Sequence, residues 1–438
     1  MTPMLAILVL HSLALVGEAG AAEGERVEAA AVVPLPSLDG SLADCVVRAQ
    51  ATHPEVRAAF AEWEAAQNRI ARAGALPEPT LSLSLYLSPV ETRAGPQQAR
   101  VGLQQAVPWP TQLTAGAEAA SERAQAARLR LDALALAVAE QVEQAYWTLW
   151  TVRSTRALHA DHLGVLEGLS ASIRARIETG DASLADLQQV DLSRARLADR
   201  LLSMEAAERT ARARLDAAIG EDSGATASLT EPPEVALPVE SEADLVRRVE
   251  DHPELEAIGA MVRSAEATAR AAASRRLPGF TVGGVWIPTG DGPGVDPELS
   301  GRDALAASVG LRLPLWQGLY GRDVAAARAE GEAHRLVRES AAQDARAELT
   351  ATLVAVEDSS RRVRLVRETL LPQAESAHGS VLGAVSSGRG SVAQALLSQQ
   401  DLLELRVELA QARADHARAW ASLRRLVGGE VASRPEGT

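Results

Sequence analysis

From Leu113 to Glu178 the chain contains no proline, and after Gly116 its only glycines there are Gly164 and Gly168. The stretch is rich in Ala, Leu, Arg, Glu and Gln, residues that favour helix at nearly every position. Roughly 60 residues at 1.5 Å each make a helix of about 90–100 Å. No ordinary globular core contains such an element, so a coiled cylinder or rod is expected. Leu131, Leu134, Val138, Val142, Ala145, Leu149 and Val152 step by three or four and predict a packing seam. Leu349, Leu353 and Val356, then Val363, Val366 and Leu370, predict a second seam in a second long helix, which Pro372 should bend or interrupt. Return helices are expected from about Ser183 to Ile219 and from about Ser391 to Val427.

The second long helix exists because the chain repeats itself. Thr52-His53-Pro54-Glu55 returns as Asp251-His252-Pro253-Glu254. Leu76-Pro77 before Thr80-Leu81-Ser82 returns as Leu277-Pro278 before Thr281-Val282-Gly283. Val101-Gly102-Leu103 matches Val309-Gly310-Leu311, and Val107-Pro108-Trp109 matches Leu313-Pro314-Leu315-Trp316. Thr179-Gly180 matches Ser387-Gly388, and Ile219-Gly220-Glu221 matches Val427-Gly428-Gly429-Glu430. Matches in one order imply a duplication: a first repeat over 38–221, a linker over 222–240, a second repeat over 241–430 and a tail over 431–438. Asp222 to Val239, with Pro232-Pro233 and Pro238, reads as an irregular crossover. Each repeat is expected to carry a helix opened by Pro54 or Pro253, two strands, a very long helix, a glycine turn and a shorter return helix.

The strands bear on the surroundings. Thr80-Leu81-Ser82-Leu83-Ser84-Leu85-Tyr86-Leu87 alternates leucine with small polar groups. Ala307, Val309, Leu311, Leu313 and Leu315 alternate with Ser308, Gly310 and Arg312, while Val101–Gln104 and Phe280–Trp286 are weaker versions. Strands near ten residues suit a tilted membrane crossing, though a half-buried soluble hairpin has the same period. Tyr86, Trp109, Phe280, Trp286, Trp316 and Tyr320 lie in or beside these segments, as an interfacial girdle requires. Tyr86, Trp109, Trp286 and Trp316 are the candidate interface residues. Four strands cannot close a barrel, and an open sheet in lipid leaves backbone donors unpaired at several kcal/mol each. A membrane role therefore demands oligomerisation, and three copies would supply twelve strands. Arg312, on the small-residue face, is the candidate water-facing charge. The second hairpin is expected to be the longer, with a Gly-Pro-Asp-rich loop from Thr289 to Gly301.

Leu5 to Val16 is a short apolar run followed by Ala19-Gly20-Ala21-Ala22, which predicts a secretory signal over 1–22 cleaved after Ala21 or Ala22. No later run of about 20 apolar residues is present, so any crossing would be made by strands. All basic residues are arginine, the net charge is −14, and arginines and carboxylates are interspersed, leaving no basic patch for nucleic acid. The single cysteine, Cys45, excludes an intrachain disulfide and a cysteine metal cluster. His53 and His252 read as helix-start residues rather than ligands. His159 and His162 stand three apart on a helix but lack a third ligand. Tyr146, Trp147 and Trp150 read as packing residues. No nucleophile–base grouping or phosphate loop is seen, so neither enzyme activity nor a cofactor is expected.

Together these motifs resemble the TolC-type outer-membrane factors of tripartite efflux and secretion systems, over nearly all of residues 38–430. The carriers are the paired His-Pro-Glu starts, the Leu-Pro strand entries, the Pro-Trp and Pro-Leu-Trp exits, and the Gly turns at Thr179-Gly180-Asp181 and Ser387-Gly388-Arg389. Val90-Glu91-Thr92-Arg93-Ala94-Gly95-Pro96-Gln97, followed by Gln105-Ala106-Val107-Pro108-Trp109, resembles the heavy-metal cation efflux branch. The resemblance implies a mainly α fold with a transmembrane β part: a homotrimer whose twelve-stranded barrel in outer-membrane lipid continues as a helical periplasmic barrel. It implies a periplasmic adaptor (membrane fusion) protein and an inner-membrane transporter of RND or ABC type as partners. Thr179, Gly180, Asp181, Ser387, Gly388 and Arg389 would form the periplasmic tip where the adaptor docks, and Arg312 and Asp186 would face the pore. Cys45 lies too far along for the lipid anchor of some relatives. Relatives that narrow the tunnel with Asp beside the second turn differ from this chain, which has Arg389, Ser391 and Gln394 there. The implied function is passive passage of heavy-metal cations or small toxic compounds. The alternatives are a type I protein-secretion duct or a non-membrane coiled-coil scaffold with soluble β-tips.

Overall fold

The computed structural model describes residues 41–180, 182–220, 229–292, 300–387 and 389–435. The expected signal segment, Asp181, Gly388 and part of the Thr289–Gly301 loop lie outside these residues. The first repeat opens with α1 (Leu42–Thr52), capped by Ser41, whose side chain accepts from the Asp44 N–H, and α2 (Pro54–Gly74). Strands β1 (Thr80–Thr92) and β2 (Gly95–Val107) follow, then α3 (Pro110–Glu178) and α4 (Leu184–Ile219). α3 has 69 residues, about 100 Å of helix, and starts at Pro110 because proline has no N–H to lose in a first turn. After the short β3 (Ala236–Pro238), the same order returns as α5 (Glu242–Glu250), α6 (Pro253–Ser274), β4 (Gly279–Ile287), β5 (Ala304–Arg312), α7 (Gln317–Leu365), α8 (Leu371–Ser386) and α9 (Val392–Leu426). β6 (Ser433–Pro435) ends the described chain.

A π-helical turn over Val366–Leu370 separates α7 from α8, whose first turn contains Pro372. Proline cannot donate to the residue four back and its ring crowds that carbonyl, so the ladder slips by one residue just before it.

The strands differ from their expected extents. β1 runs on to Thr92, and a register shift between Leu85 and Val90 absorbs the change of pattern. β5 stops at Arg312, so Leu313 and Leu315 continue the alternation in sequence but not in the sheet; Pro314 cannot donate to a ladder. The second hairpin has the longer loop but the shorter strands, 9 residues against 13. Gly95, at φ 130° in the first turn, has no room for a side chain: an added Cβ would stand 1.8 Å from the Gly290 carbonyl oxygen.

The chain divides into two compact units. Of the described residues, the helical unit takes in those within 41–58, 132–252 and 343–435, and the sheet unit those within 59–131 and 253–342. The helical unit has a core of Leu245, Val249, Leu349, Val356, Trp420, Leu423 and their neighbours. The linker is laced to this unit. Tyr146 Oη accepts from the Thr230 N–H at 2.8 Å, His416 Nε2 accepts from the Ala236 N–H at 3.2 Å, and Trp420 Nε1 donates to the Ala236 carbonyl at 3.1 Å. β3 pairs with β6, which ties the crossover to the tail. In the sheet unit, α6 packs on alanines and is flanked by ion pairs, Arg263–Glu122 at 2.8 Å and Arg335–Glu266 at 2.9 Å. Ser264 Oγ donates to the Ala119 carbonyl at 2.9 Å.

Candidate functional site

Two surfaces carry the features that sequence singled out: the sheet and the helical-hairpin tips. The sheet is a single antiparallel layer in the order β1-β2-β4-β5, so the hairpins of both repeats meet through β2 and β4. Register fixes its faces, because side chains alternate along every strand. Leu83 pairs with Val101, Val101 with Trp286, and Trp286 with Leu305. That row, with Leu81, Leu103, Val282, Val309 and Leu311 on the same parity, makes one face apolar. The opposite face is small and polar: Ser82 pairs with Gly102, Thr281 with Gly310, and Gly283 with Ser308.

No core covers the apolar face. Leu83 is 66% exposed, Val309 79% and Leu305 85%. A continuous exposed patch of this kind marks an interaction surface rather than chance. β1 and β5 are edge strands, each presenting a row of backbone groups without sheet partners on its outer side. Among the described residues, no helix is long and apolar enough to cross a membrane.

The aromatic candidates separate. Trp286 lies on the apolar face, its Nε1 donating to Asp303 Oδ2 at 2.9 Å. Trp109, just beyond β2, stacks on Phe280 with centroids 6.4 Å apart, and Trp316 is exposed at the start of α7. Tyr86 follows Leu85, where the register of β1 against β2 shifts, and it is half-buried. Arg312 pairs with Gly279 on the polar face and is exposed.

At the first tip, Gly180 closes α3 in the left-handed region at φ 83°, and its N–H donates to the Ile177 carbonyl at 3.1 Å. Thr179 is exposed and its hydroxyl donates to the Arg176 carbonyl at 3.1 Å. Ser183 and Asp186 form a capping box at the start of α4: Asp186 Oδ2 accepts from the Ser183 N–H at 3.2 Å and its hydroxyl at 2.7 Å. The carboxylate offered as a pore-facing group is therefore engaged as a helix cap, a role signalled by the Ser-x-x-Asp spacing. At the second tip Ser391 caps α9 and accepts from the Gln394 N–H at 3.2 Å, with no carboxylate to return the bond. Ser387 and Arg389 are exposed, and the Arg389 N–H donates to the Ala384 carbonyl at 2.9 Å. Ile173, Val190 and Val392 form one buried cluster with Leu169, Ile177, Ala182, Leu187 and Leu396, which brings the first tip and the start of α9 together.

An Asp191 network went unnoticed in the sequence. Asp191 accepts from Ser170 Oγ at 2.9 Å, Arg194 at 3.0 Å and Arg174 at 3.4 Å, joining α3 to α4. The Ser170 hydrogen bond, then those of the arginines, hold its carboxyl below the ordinary range. Its counterpart between α8 and α9 is sparser: His378 Nδ1 with Ser398 Oγ at 2.9 Å, and Arg406 with Glu375 at 3.2 Å.

The histidines are structural in their contacts. His53 Nδ1 accepts from the Glu55 N–H at 3.3 Å, His252 Nε2 donates to the Arg425 carbonyl at 3.1 Å, and His159 Nδ1 donates to the Thr155 carbonyl at 2.8 Å. Burial, then the neighbouring His159, lowers the His162 pKa. Among the described residues, no group of three His, Cys, Asp or Glu side chains is placed to hold a metal ion.

Solved structures to which the chain is similar include outer-membrane channels. The chain is similar to the outer membrane protein VceC from Vibrio cholerae (18% identity, 89% of this chain and 96% of that one, TM-score 0.71). It is similar to the Campylobacter jejuni CmeC outer membrane channel (14% identity, 89% and 86%, TM-score 0.70). It is also similar to CusC, described as changing conformation on folding and transmembrane channel formation (15% identity, 90% and 93%, TM-score 0.74). No curated protein matches the sequence. The family model for outer membrane efflux proteins matches residues 45–221 and 247–429, most of both repeats. The chain is a member of the outer membrane efflux protein family, a mainly helical outer-membrane protein with one four-stranded sheet.

Proposed function

We propose that three copies of the chain join their sheets edge to edge into a twelve-stranded barrel in the outer membrane, and that the trimer is the passive exit duct of a tripartite efflux system. The observation that carries this reading is the sheet with one exposed apolar face, one small polar face and two open edges. Lipid satisfies the first, water the second, and neighbouring copies the third. One chain provides too few strands to close, since known barrels start at about eight. The repeats, taken as 38–221 and 241–430 around a linker at 222–240, would each give one hairpin to the barrel and one helical hairpin to a periplasmic tunnel.

Thr179, Gly180, Asp181, Ser387, Gly388 and Arg389 would then lie at the tip that meets a periplasmic adaptor, with an RND-type or ABC-type inner-membrane transporter beyond it. Arg312 would face the pore; Asp186, held as a cap, would stiffen the tip. Tyr86, Trp109, Trp286 and Trp316 would sit at the lipid headgroups. A passive duct needs no catalytic group, in agreement with its family.

The test is single-channel recording of purified protein in planar bilayers, alongside its mass in detergent. The expected result is a trimer with steady conductance from the outer-membrane fraction. A soluble monomer without conductance would favour the scaffold reading instead.

A further inference from the structure

Among the residues of β1, β2, β4 and β5, the only charged side chains are Glu91, Arg100 and Arg312. Arg100 pairs with Ser84 and Arg312 with Gly279, so both arginines stand on the small polar face. Both are exposed. Helix arginines such as Arg263 and Arg335 meet carboxylates, whereas no carboxylate shares the face between these two. Arg100 precedes the row of Val101, Trp286 and Leu305, and Arg312 follows the row of Val107, Phe280 and Leu311. About eight rows at 3.3 Å separate them, roughly 26 Å along the strands. That span matches the apolar band of an outer-membrane barrel, about 25 Å tall. The surface between them is Ser, Thr, Gly, Ala and Gln, with Val285 and Ile287. Glu91 pairs with Pro96, which puts it about four rows beyond Arg100 at the hairpin rim. Roughly 13 Å away, it lies beyond the Debye length of about 10 Å at 0.1 M salt.

We propose that Arg100 and Arg312 form two positive rings on the water-facing wall, one at each end of the barrel, and that these make the membrane segment favour small anionic solutes over free cations. The proposal rests on the duct reading above. Guanidinium stays protonated at any working pH, and the small neighbours leave it room to extend into water. Rings of Arg select for anions in pores, and low-dielectric walls concentrate their field. The consequence opposes the heavy-metal resemblance: a bare metal cation would cross two like-charged rings, whereas an anionic organic compound would be drawn through both.

Reversal potentials across a KCl gradient test this in the purified full-length protein. Arg100→Gln with Arg312→Gln is expected to lower the chloride-to-potassium permeability ratio about two- to threefold at 0.1 M salt, and by less at 1 M, as screening requires. Arg100→Lys with Arg312→Lys should keep the original ratio, and Ser308→Arg, which adds a charge to the same face, should raise it. An unchanged ratio in conducting glutamine channels overturns the proposal, as does a lysine variant that behaves like the glutamine one. Should the glutamine variant fail to assemble, Ser308→Arg decides, and no rise overturns the proposal. Absence of channels from the unsubstituted protein counts against the duct itself and removes the proposal with it.

Discussion

Leu423 in the helical unit has 0% of its surface exposed, whereas Val309 in the sheet unit has 79%. Both belong to periodic apolar patterns, one at helical spacing and one at strand spacing. The helical unit closes its pattern within the chain, through α5, α7 and α9 and the linker laced across them by Tyr146, His416 and Trp420. The sheet closes nothing within the chain. Each strand satisfies its neighbours and the layer stops, with one face and two edges unsatisfied. The difference teaches that the two units bury their apolar residues differently: one closes a core within the chain, and the other leaves an apolar face and two edges open, which the proposed duct would cover with lipid and with further copies.

The comparison breaks most severely at adjacent residues of β5. Val309→Arg puts a charge on the lipid face and is expected to cost about 2–4 kcal/mol per copy near mid-membrane. Three copies would lose assembly outright, read as disappearance of trimer from the outer-membrane fraction. Ser308→Arg, one residue away on the opposite face, should still yield trimer. Equal loss for both would show that the faces are not differently solvated.

Next in size is Leu423→Ala. A leucine truncated in a closed core costs about 2–5 kcal/mol, because the cavity stays largely empty. Denaturant unfolding of the purified protein should show that loss in the helical signal, while Leu83→Ala, whose space lipid tails can fill, should cost clearly less. A reversed order would make the sheet, not the helical unit, the part with the closed core.

The smallest effect concerns Glu143, buried in the helical unit against Arg424. Burial pushes its carboxyl above the ordinary range, and Arg424 offsets that only in part. A raised folded pKa means the folded state keeps the proton longer than the unfolded one. Its contribution is therefore fully present at acid pH and is lost as pH rises from the unfolded value, near 4.5, through the folded one. Glu143→Gln should flatten the pH dependence of unfolding over that window. A steeper dependence in the variant would reverse the sign argued here.

Much of this was legible in the sequence, because the patterns are local. The proline-free run from Leu113 to Glu178 fixes a helix wherever it sits, and the Leu-Ser alternation of β1 declares a two-faced strand before any partner is known. Pro372 likewise marks where the second long helix is interrupted. What resisted reading depends on distant partners. That β2 pairs with β4, joining the two repeats in one layer, has no local signature, and neither does the hairpin turn at Arg93 and Ala94. The register shift after Leu85, where the strict alternation around Tyr86 gives way, likewise has no local signature. Arg100 carries no local signal because its strand alternates weakly; its place on the polar face follows only from its pairing with Ser84. Asp191 looked like one more helix carboxylate until Ser170 and Arg174 were brought opposite it.

The central claim is that the outer sides of β1 and β5 are paired with neighbouring copies. Hydrogen–deuterium exchange of the protein in outer-membrane lipid measures this directly. Amides along both edge strands should be protected as strongly as those of β2 and β4. Rapid exchange confined to the outward amides of β1 and β5, beside slow exchange in β2 and β4, would mean an open sheet and would contradict the account.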